Sequence, residues 1–139
     1  MSEESTTPDL VELTRRFLEA ANKRDFDSIA SSYAPDALLD SMGMGASFEG
    51  TAAIRGFFED FIGAYEEWQV DAEEILDLGN GVTFIVALQQ GRPFGSSGHV
   101  QMRFASVGLS TDGAVVRQTL YTDIDAARAA AERLAESRG

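Results

Sequence analysis

The sequence predicts an α+β fold, with helices gathered in the first half, a meander of strands after them and one closing helix. Three observations carry this. Apolar residues recur at helical spacing from Leu10 to Ala21 and again from Ile54 to Tyr65. From Trp68 onward β-rich runs take over, and two of their joints, Asn80-Gly81 and Asp112-Gly113, are tight-hairpin signals because these residue types accept positive φ. An alanine-rich stretch, Ala126 to Ser137, then returns to helical composition. Helices first and antiparallel strands after them imply helices on one face of a curved sheet.

Taken in order, Thr7-Pro8-Asp9 starts the first helix: a hydroxyl cap, proline at the first helical position, and an acid facing the positive helix end. Leu10, Leu13, Phe17 and Ala21 share its apolar face. Asp25 or Asp27 caps a short second helix with Phe26, Ile29, Ala30 and Tyr33 inward, and Pro35 halts it near Ala34. "ALLDSM" reads as a short strand and "GMGAS" as a loop. Gly50-Thr51 begins a helix that runs to about Tyr65, with residues 54, 57, 58, 61, 62 and 65 on one apolar side. "WQVDAEEILDLG", "VTFIVALQQ", "HVQMRFASVGLS" and "AVVRQTLYTD" are the strands that follow, with "GRPFGSSG" as the loop between the second and third. The last helix turns Ala130 and Leu134 inward. Residues 1–7 read as a flexible N-terminus and 8–137 as a single domain, without repeat or linker.

Composition excludes several classes of function. Eleven Lys and Arg against 23 Asp and Glu give a formal net charge of -12. A surface that negative repels phosphate backbones and anionic lipid, so neither nucleic acid nor membrane is an expected partner. The absence of cysteine and the acidic, polar start "MSEESTTPDL" fit a cytoplasmic protein. One histidine, no cysteine and no acids clustered at ligand spacing leave no transition-metal site, and no cofactor is expected. "GSSG" lacks the lysine and strand-to-helix setting of a phosphate loop, and "GMGASF" holds only part of a dinucleotide fingerprint.

The rings of "GTAAIRGFFEDFIGAY" pose the functional question. A strongly bent sheet crossed by helices leaves a cone-shaped space, and concave apolar spaces are where small ligands bind. The segments "RFLEAANKRDFDSIASSYAPDALL", "FEGTAAIRGFFEDF" and "STDGAVVRQTLYTDIDAA" resemble the SnoaL-like branch of the NTF2-like superfamily, from about Leu10 to Ala130. That superfamily includes ketosteroid isomerases, limonene epoxide hydrolases and polyketide cyclases. The resemblance implies an NTF2-like (cystatin-like) cone of three N-terminal helices on a curved, mostly antiparallel sheet. It also implies an interior pocket and a homodimer formed through the outer sheet face.

The residues such a family uses for catalysis do not carry over. Where the isomerases place a tyrosine donor on the first helix this chain has Phe17, the supporting tyrosine matches Phe58, and the protonated aspartate matches Val100. Losing one preorganised donor costs on the order of 100-fold in rate, so losing three argues against that reaction. The general base matches Ser41, with Asp40 beside it. The hydrolase closing-strand aspartate falls at Leu120, and its Arg-x-Asp strand falls on Val86 to Leu88.

On the last strand Gln118, Leu120 and Thr122 alternate with Arg117, Thr119, Tyr121 and Asp123. On the preceding one Val100, Met102 and Phe104 alternate with His99, Gln101 and Arg103. With the first set of each inward, as the resemblance suggests, the pocket is lined by Phe17, Phe58, Phe61, Ile62, Val100, Met102, Phe104, Gln118, Leu120 and Thr122. Tyr33, Ser41 and Trp68 join them at its mouth. Asp40 interrupts an apolar strand, and burial against rings would raise its pKa and suit a proton carrier. The reading is therefore binding of a small, largely apolar or cyclic molecule in the cone, extended by isomerase- or cyclase-type proton transfer at Asp40. The alternative is a non-catalytic dimeric interaction module. A filled cone, with the rings in mutual contact, would favour the module; a void of several hundred Å³ would favour a ligand.

Overall fold

Helices in this chain begin where a side chain accepts from an otherwise unpaired backbone N–H. In the computed structural model, which describes residues 9–138, Asp9 caps α1 (Leu10–Asn22) by accepting from the Glu12 N–H at 3.1 Å. The Thr7 cap and first-turn Pro8 that the sequence predicts, and the N-terminus of residues 1–7 expected from it, lie outside the described residues. Asp25 caps α2 (Phe26–Ser31), accepting from the Ser28 N–H at 3.1 Å and from its hydroxyl at 2.7 Å. This helix stops earlier than expected. Tyr33 opens β1 (Tyr33–Ser41), and Pro35 sits inside that strand where its pairing shifts register, so the missing N–H breaks no regular ladder.

"GMGAS" is only partly loop, because β2 (Ala46–Glu49) begins within it and pairs antiparallel with β1. Gly50, at φ 89°, turns the chain into α3 (Thr51–Gly63), which ends before Tyr65; that ring opens β3 (Tyr65–Gly79). β4 (Val82–Pro93), β5 (Val100–Thr111) and β6 (Ala114–Tyr121) complete the sheet. The two hairpins form as expected, with φ of 58° and 83° at Asn80-Gly81 and 53° and 83° at Asp112-Gly113. At Gly81 a Cβ would stand 2.4 Å from the Ser110 carbonyl oxygen, so no other residue fits that turn without movement. Asp123 caps α4 (Ile124–Arg138) through the Ala126 N–H at 3.0 Å.

The six strands lie in the order β2-β1-β6-β5-β4-β3, with β1 and β6 parallel and every other pair antiparallel. Three register shifts in β3 bend the sheet around its inner side. There α1, α2 and α3 bury Ile29, Leu39, Ile54, Phe57, Phe58 and Ile62 against Val70 and Ala87.

The closing helix departs from the expectation of helices on one face. α4 packs on the opposite side of the sheet, where Ala127, Ala131 and Ala135 meet Phe84, Val86, Ala105 and Val107. Alternation makes both contacts available from one strand: Phe84 and Val86 point outward while Ile85 and Ala87 point inward. The buried stripe is this alanine row. Leu134 packs beside it, and Ala130 is only partly covered. The Arg128 guanidinium lies 4.6 Å from the Phe84 ring centre and pairs with Glu74 at 2.8 Å, tying α4 down further.

Two of the three segments that carry the family resemblance hold the helices in place. Asn22 donates to the Val70 carbonyl at 2.9 Å and accepts from the Val70 N–H at 2.8 Å, fixing the end of α1 to β3. Arg55 on α3 pairs with Asp27 on α2 at 2.5 Å and with Glu59 at 3.0 Å. Among the described residues no helix is long and apolar enough to cross a membrane.

Candidate functional site

Between α1, α3 and the inner sheet face lies a cavity of about 290 Å³. This is close to the lower end of the roughly 300–1,000 Å³ usual for ligand pockets. The cone is therefore not filled. Helix α1 gives its Phe17 and Leu18, and α3 gives Phe57, Phe58, Phe61 and Ile62. Helical spacing brings these side chains to one side.

The rings do two jobs at once. Phe58 packs edge-on against Phe17, with ring centres 5.7 Å apart, and Phe57 meets Phe48 of β2 at 4.8 Å. Contacts of this kind fix the rings from behind, so they act as a rigid wall with one face left open.

From the sheet come Trp68, Gln89, Met102, Phe104, Ser106, Gln118 and Leu120, with Ser41 and Thr122 beside them. The mouth is flanked by the exposed Met44, on the turn after β1, and by Met102, 41% exposed. Among the described residues no lysine, arginine, histidine, aspartate or glutamate lines this cavity.

The expected site residues divide clearly. Phe17, Ser41, Phe58, Phe61, Ile62, Trp68, Met102, Phe104, Gln118, Leu120 and Thr122 all reach the cavity wall. Val100 does not. It stands on the same side of β5 as Met102, but the sheet extends past the helices there and leaves it 45% exposed. Tyr33 is buried deep, not at the mouth, and lies on the far side of Phe17, their ring centres 6.0 Å apart. Ser41 is likewise buried within the wall.

Asp40 is the main correction. Adjacent strand residues face opposite ways, so with Ser41 and Leu39 inward its carboxylate lies on the outer side. There it accepts from the Ser47 hydroxyl at 2.5 Å and from Arg117 at 3.0 Å. The Ser47 hydrogen bond, followed by Arg117, holds its carboxyl below the ordinary carboxylate range. Burial against rings, the premise for a raised pKa and a proton-carrying role, does not occur.

Inside the cone the polar groups form a short chain. The Tyr33 hydroxyl donates to Gln118 Oε1, and Gln118 Nε2 donates to Ser106 Oγ at 2.8 Å. Burial pushes the Tyr33 hydroxyl well above its ordinary pKa, so it stays protonated as a donor. Gln118 is thus held by two partners, and much of its bonding capacity is internal.

Gln89 differs. It is 5% exposed, lines the cavity, and its side chain has no hydrogen-bond partner among the described residues. It was not among the residues expected at the site. The signal was its alternation with Ile85 and Ala87 on β4, but "QQ" leaves open which glutamine turns inward until the sheet face is known.

A second, more polar hollow of about 470 Å³ opens on the other side of Phe17, between α1, α2 and the far ends of β4–β6. Its rim carries Arg16, Glu19, Lys23 and Asp25, and it shares Thr14, Phe17, Ile85, Ser106 and Gln118 with the first.

Comparison with known proteins fits this architecture. A family model described as SnoaL-like domain matches residues 14–118. Among solved structures, a protein with a ketosteroid isomerase-like fold from Catenulispora acidiphila DSM 44928, in complex with trimethylamine, superposes at TM-score 0.73. It has 16% identity, over 90% of this chain and 93% of that one. A putative SnoaL-like polyketide cyclase from Shewanella denitrificans OS-217 gives TM-score 0.69 at 12% identity, covering 92% and 99%. An epoxide hydrolase of M. tuberculosis, described as LEH-like, gives 0.69 at 16%, covering 89% and 90%. At these identities the likeness concerns the fold. No curated protein matches the sequence significantly.

Proposed function

The chain belongs to the SnoaL-like domain family, and from that premise we propose that it binds a small, neutral, largely apolar or cyclic molecule in the interior cavity. The observation that carries this reading is a preformed void of about 290 Å³ whose wall, among the described residues, contains no charged one. An ion transferred there would lose its hydration without a counter-charge, so the lining selects against charged molecules. Size sets the other limit. A cavity of about 150 Å³ holds one benzene, so roughly twice that volume suits one or two fused rings. Binding is favoured over proton transfer, because among the described residues no carboxylate, imidazole or amine reaches this cavity and Asp40 is ion-paired outside it.

A paired test separates the terms. The only tryptophan, Trp68, stands in the cavity wall and reports occupancy by its emission. Naphthalene should bind at one site per chain and change that emission. Anionic 2-naphthoate, of nearly the same shape, should bind at least about tenfold more weakly because its charge is buried unpaired. No binding of naphthalene, or equal binding of both, would overturn the reading. We also propose that two copies associate through the outer sheet face left uncovered by α4, where Arg103 and Arg117 are exposed.

A further inference from the structure

Resting on the reading that the cavity takes a ligand, we infer that Phe17 is the residue that sets ligand length. Its ring divides one long groove in two, so that compact one- or two-ring molecules enter the uncharged cavity and elongated ones are excluded.

The groove is laid out in the floor of the cone. Thr83, Ile85, Ala87 and Gln89 of β4 pair in turn with Gly108, Ser106, Phe104 and Met102 of β5. The Ala87 and Gln89 pairs line only the uncharged cavity, and the Thr83 pair lines only the polar hollow. Ile85 and Ser106 line both, so the floor runs unbroken from one space into the other. At about 3.3 Å per residue, the Gln89 and Ile85 rows lie roughly 13 Å apart, with the Thr83 row about 7 Å further on.

The division comes from α1. Among the described residues, Thr14 and Phe17 are the only helical ones that line both spaces. Thr14 is short and donates its hydroxyl to the Leu10 carbonyl of its own helix at 2.8 Å. Phe17 is the large side chain of the two. Its ring neighbours mark the two sides: Phe58, centres 5.7 Å apart, lines only the cavity, and Tyr33, at 6.0 Å, lines only the hollow. Both contacts are edge-on, with interplanar angles of 70° and 79°. A ring held this way from both sides cannot swing aside without losing one of its partners. A ligand in the cavity therefore meets it as an end wall.

The space behind that wall is larger than the cavity itself. Gly108 puts no side chain into it, and even a Cβ there would lie 2.8 Å from Thr83 Oγ1. Removing the Phe17 ring would join this hollow of about 470 Å³ to the cavity of about 290 Å³. Leu13 and Val115 in the far wall would give an entering hydrocarbon apolar contacts beside the hydroxyls.

Naphthalene and 1,6-diphenylhexatriene provide the test. The second is a neutral rod of two phenyl rings joined by three conjugated double bonds, too long for the floor on the cavity side of Phe17. It emits when shielded from water, and energy transfer from Trp68, in the cavity wall, reports that it lies there. Fluorescence titration of the full chain should show naphthalene bound, and the rod bound at least about tenfold more weakly than by Phe17→Ala. That is the order by which an apolar pocket rejects a group it cannot fit. Naphthalene should weaken in the same variant because it loses a wall, so the preference between the two compounds moves toward the rod. Adding Val115→Phe to Phe17→Ala should refill the far space and remove the rod's gain, leaving naphthalene as in the single variant. Phe17→Leu, a smaller truncation, should show the same shift in smaller measure and replaces the alanine variant if that one does not unfold cooperatively in urea. Equal affinity of the native chain and the Phe17 variants for the rod, or a gain that survives Val115→Phe, would overturn the role of Phe17 alone. Failure of the native chain to bind naphthalene would overturn the ligand-binding reading and this inference with it.

Discussion

Filling the void from one wall gives the sharpest check on whether the cone is open. Ala87 is 1% exposed, sits on the inner side of β4 between Phe104 on one flanking strand and Ala72 on the other, and lines the cavity. Ala87→Leu adds three carbons that point into that space. Each buried methylene contributes about 0.8 kcal/mol, so a leucine that finds room gains at most about 2.4 kcal/mol. Against this stand roughly 0.5–1 kcal/mol of lost rotamer freedom and some imperfect fit. The net expectation is a change between neutral and about 1.5 kcal/mol of stabilisation. In a close-packed interior the same change would force neighbours apart and cost about 1–3 kcal/mol.

The sign of the change therefore decides. Urea unfolding reads it as a shift of the midpoint at constant slope. In parallel, naphthalene affinity should fall by at least about tenfold, because an isobutyl group occupies a large part of a cavity sized for two rings. A variant destabilised by more than about 1 kcal/mol that binds naphthalene as before would refute the reasoning: the space would be neither open at Ala87 nor the place where the ligand sits.

Two further expectations follow from the outer face. Asp40→Asn should leave naphthalene binding unchanged, since the carboxylate lies outside the cavity, and should lower stability at neutral pH by about 0.2–1 kcal/mol, the range for exposed ion pairs. The folded-state pKa of Asp40 is depressed below its ordinary 3.8. Its contribution is thus present above that value and disappears as pH falls through the folded pKa, so the unfolding midpoints of the two proteins should converge in acid; a gap that persists there would contradict this account. For the proposed dimer, Arg103→Glu or Arg117→Glu should shift the sedimenting species toward monomer, and an unaltered sedimentation coefficient would count against that surface.

What could be read in the sequence was whatever depends on a few neighbouring residues. Asn80-Gly81 and Asp112-Gly113 specify their turns by backbone sterics alone, and both hairpins form there. Asp25 caps α2 because a carboxylate three residues ahead of a free N–H needs nothing from the rest of the chain. Helical spacing alone put Phe57, Phe58, Phe61 and Ile62 on one side of α3.

Other features depended on contacts far apart in the chain. Tyr33 follows a helical pattern, yet it enters β1 because that strand pairs in parallel with β6, about 80 residues later. The position of α4 was hidden because an alanine stripe carries little hydrophobic contrast, and only the apolar outer row of Phe84, Val86 and Val107 decides which side it covers. The same rule separates Asp40 from Ser41 and Gln89 from Gln90. Alternation fixes that each pair splits between two faces, but which face is enclosed is set by where the helices land. The sequence by itself therefore determined the elements, their turns and the apolar character of one interior. The tertiary structure decided which side of the sheet became that interior, and so which polar residues stand inside it. Side-chain direction is local, whereas enclosure is a property of the whole assembly.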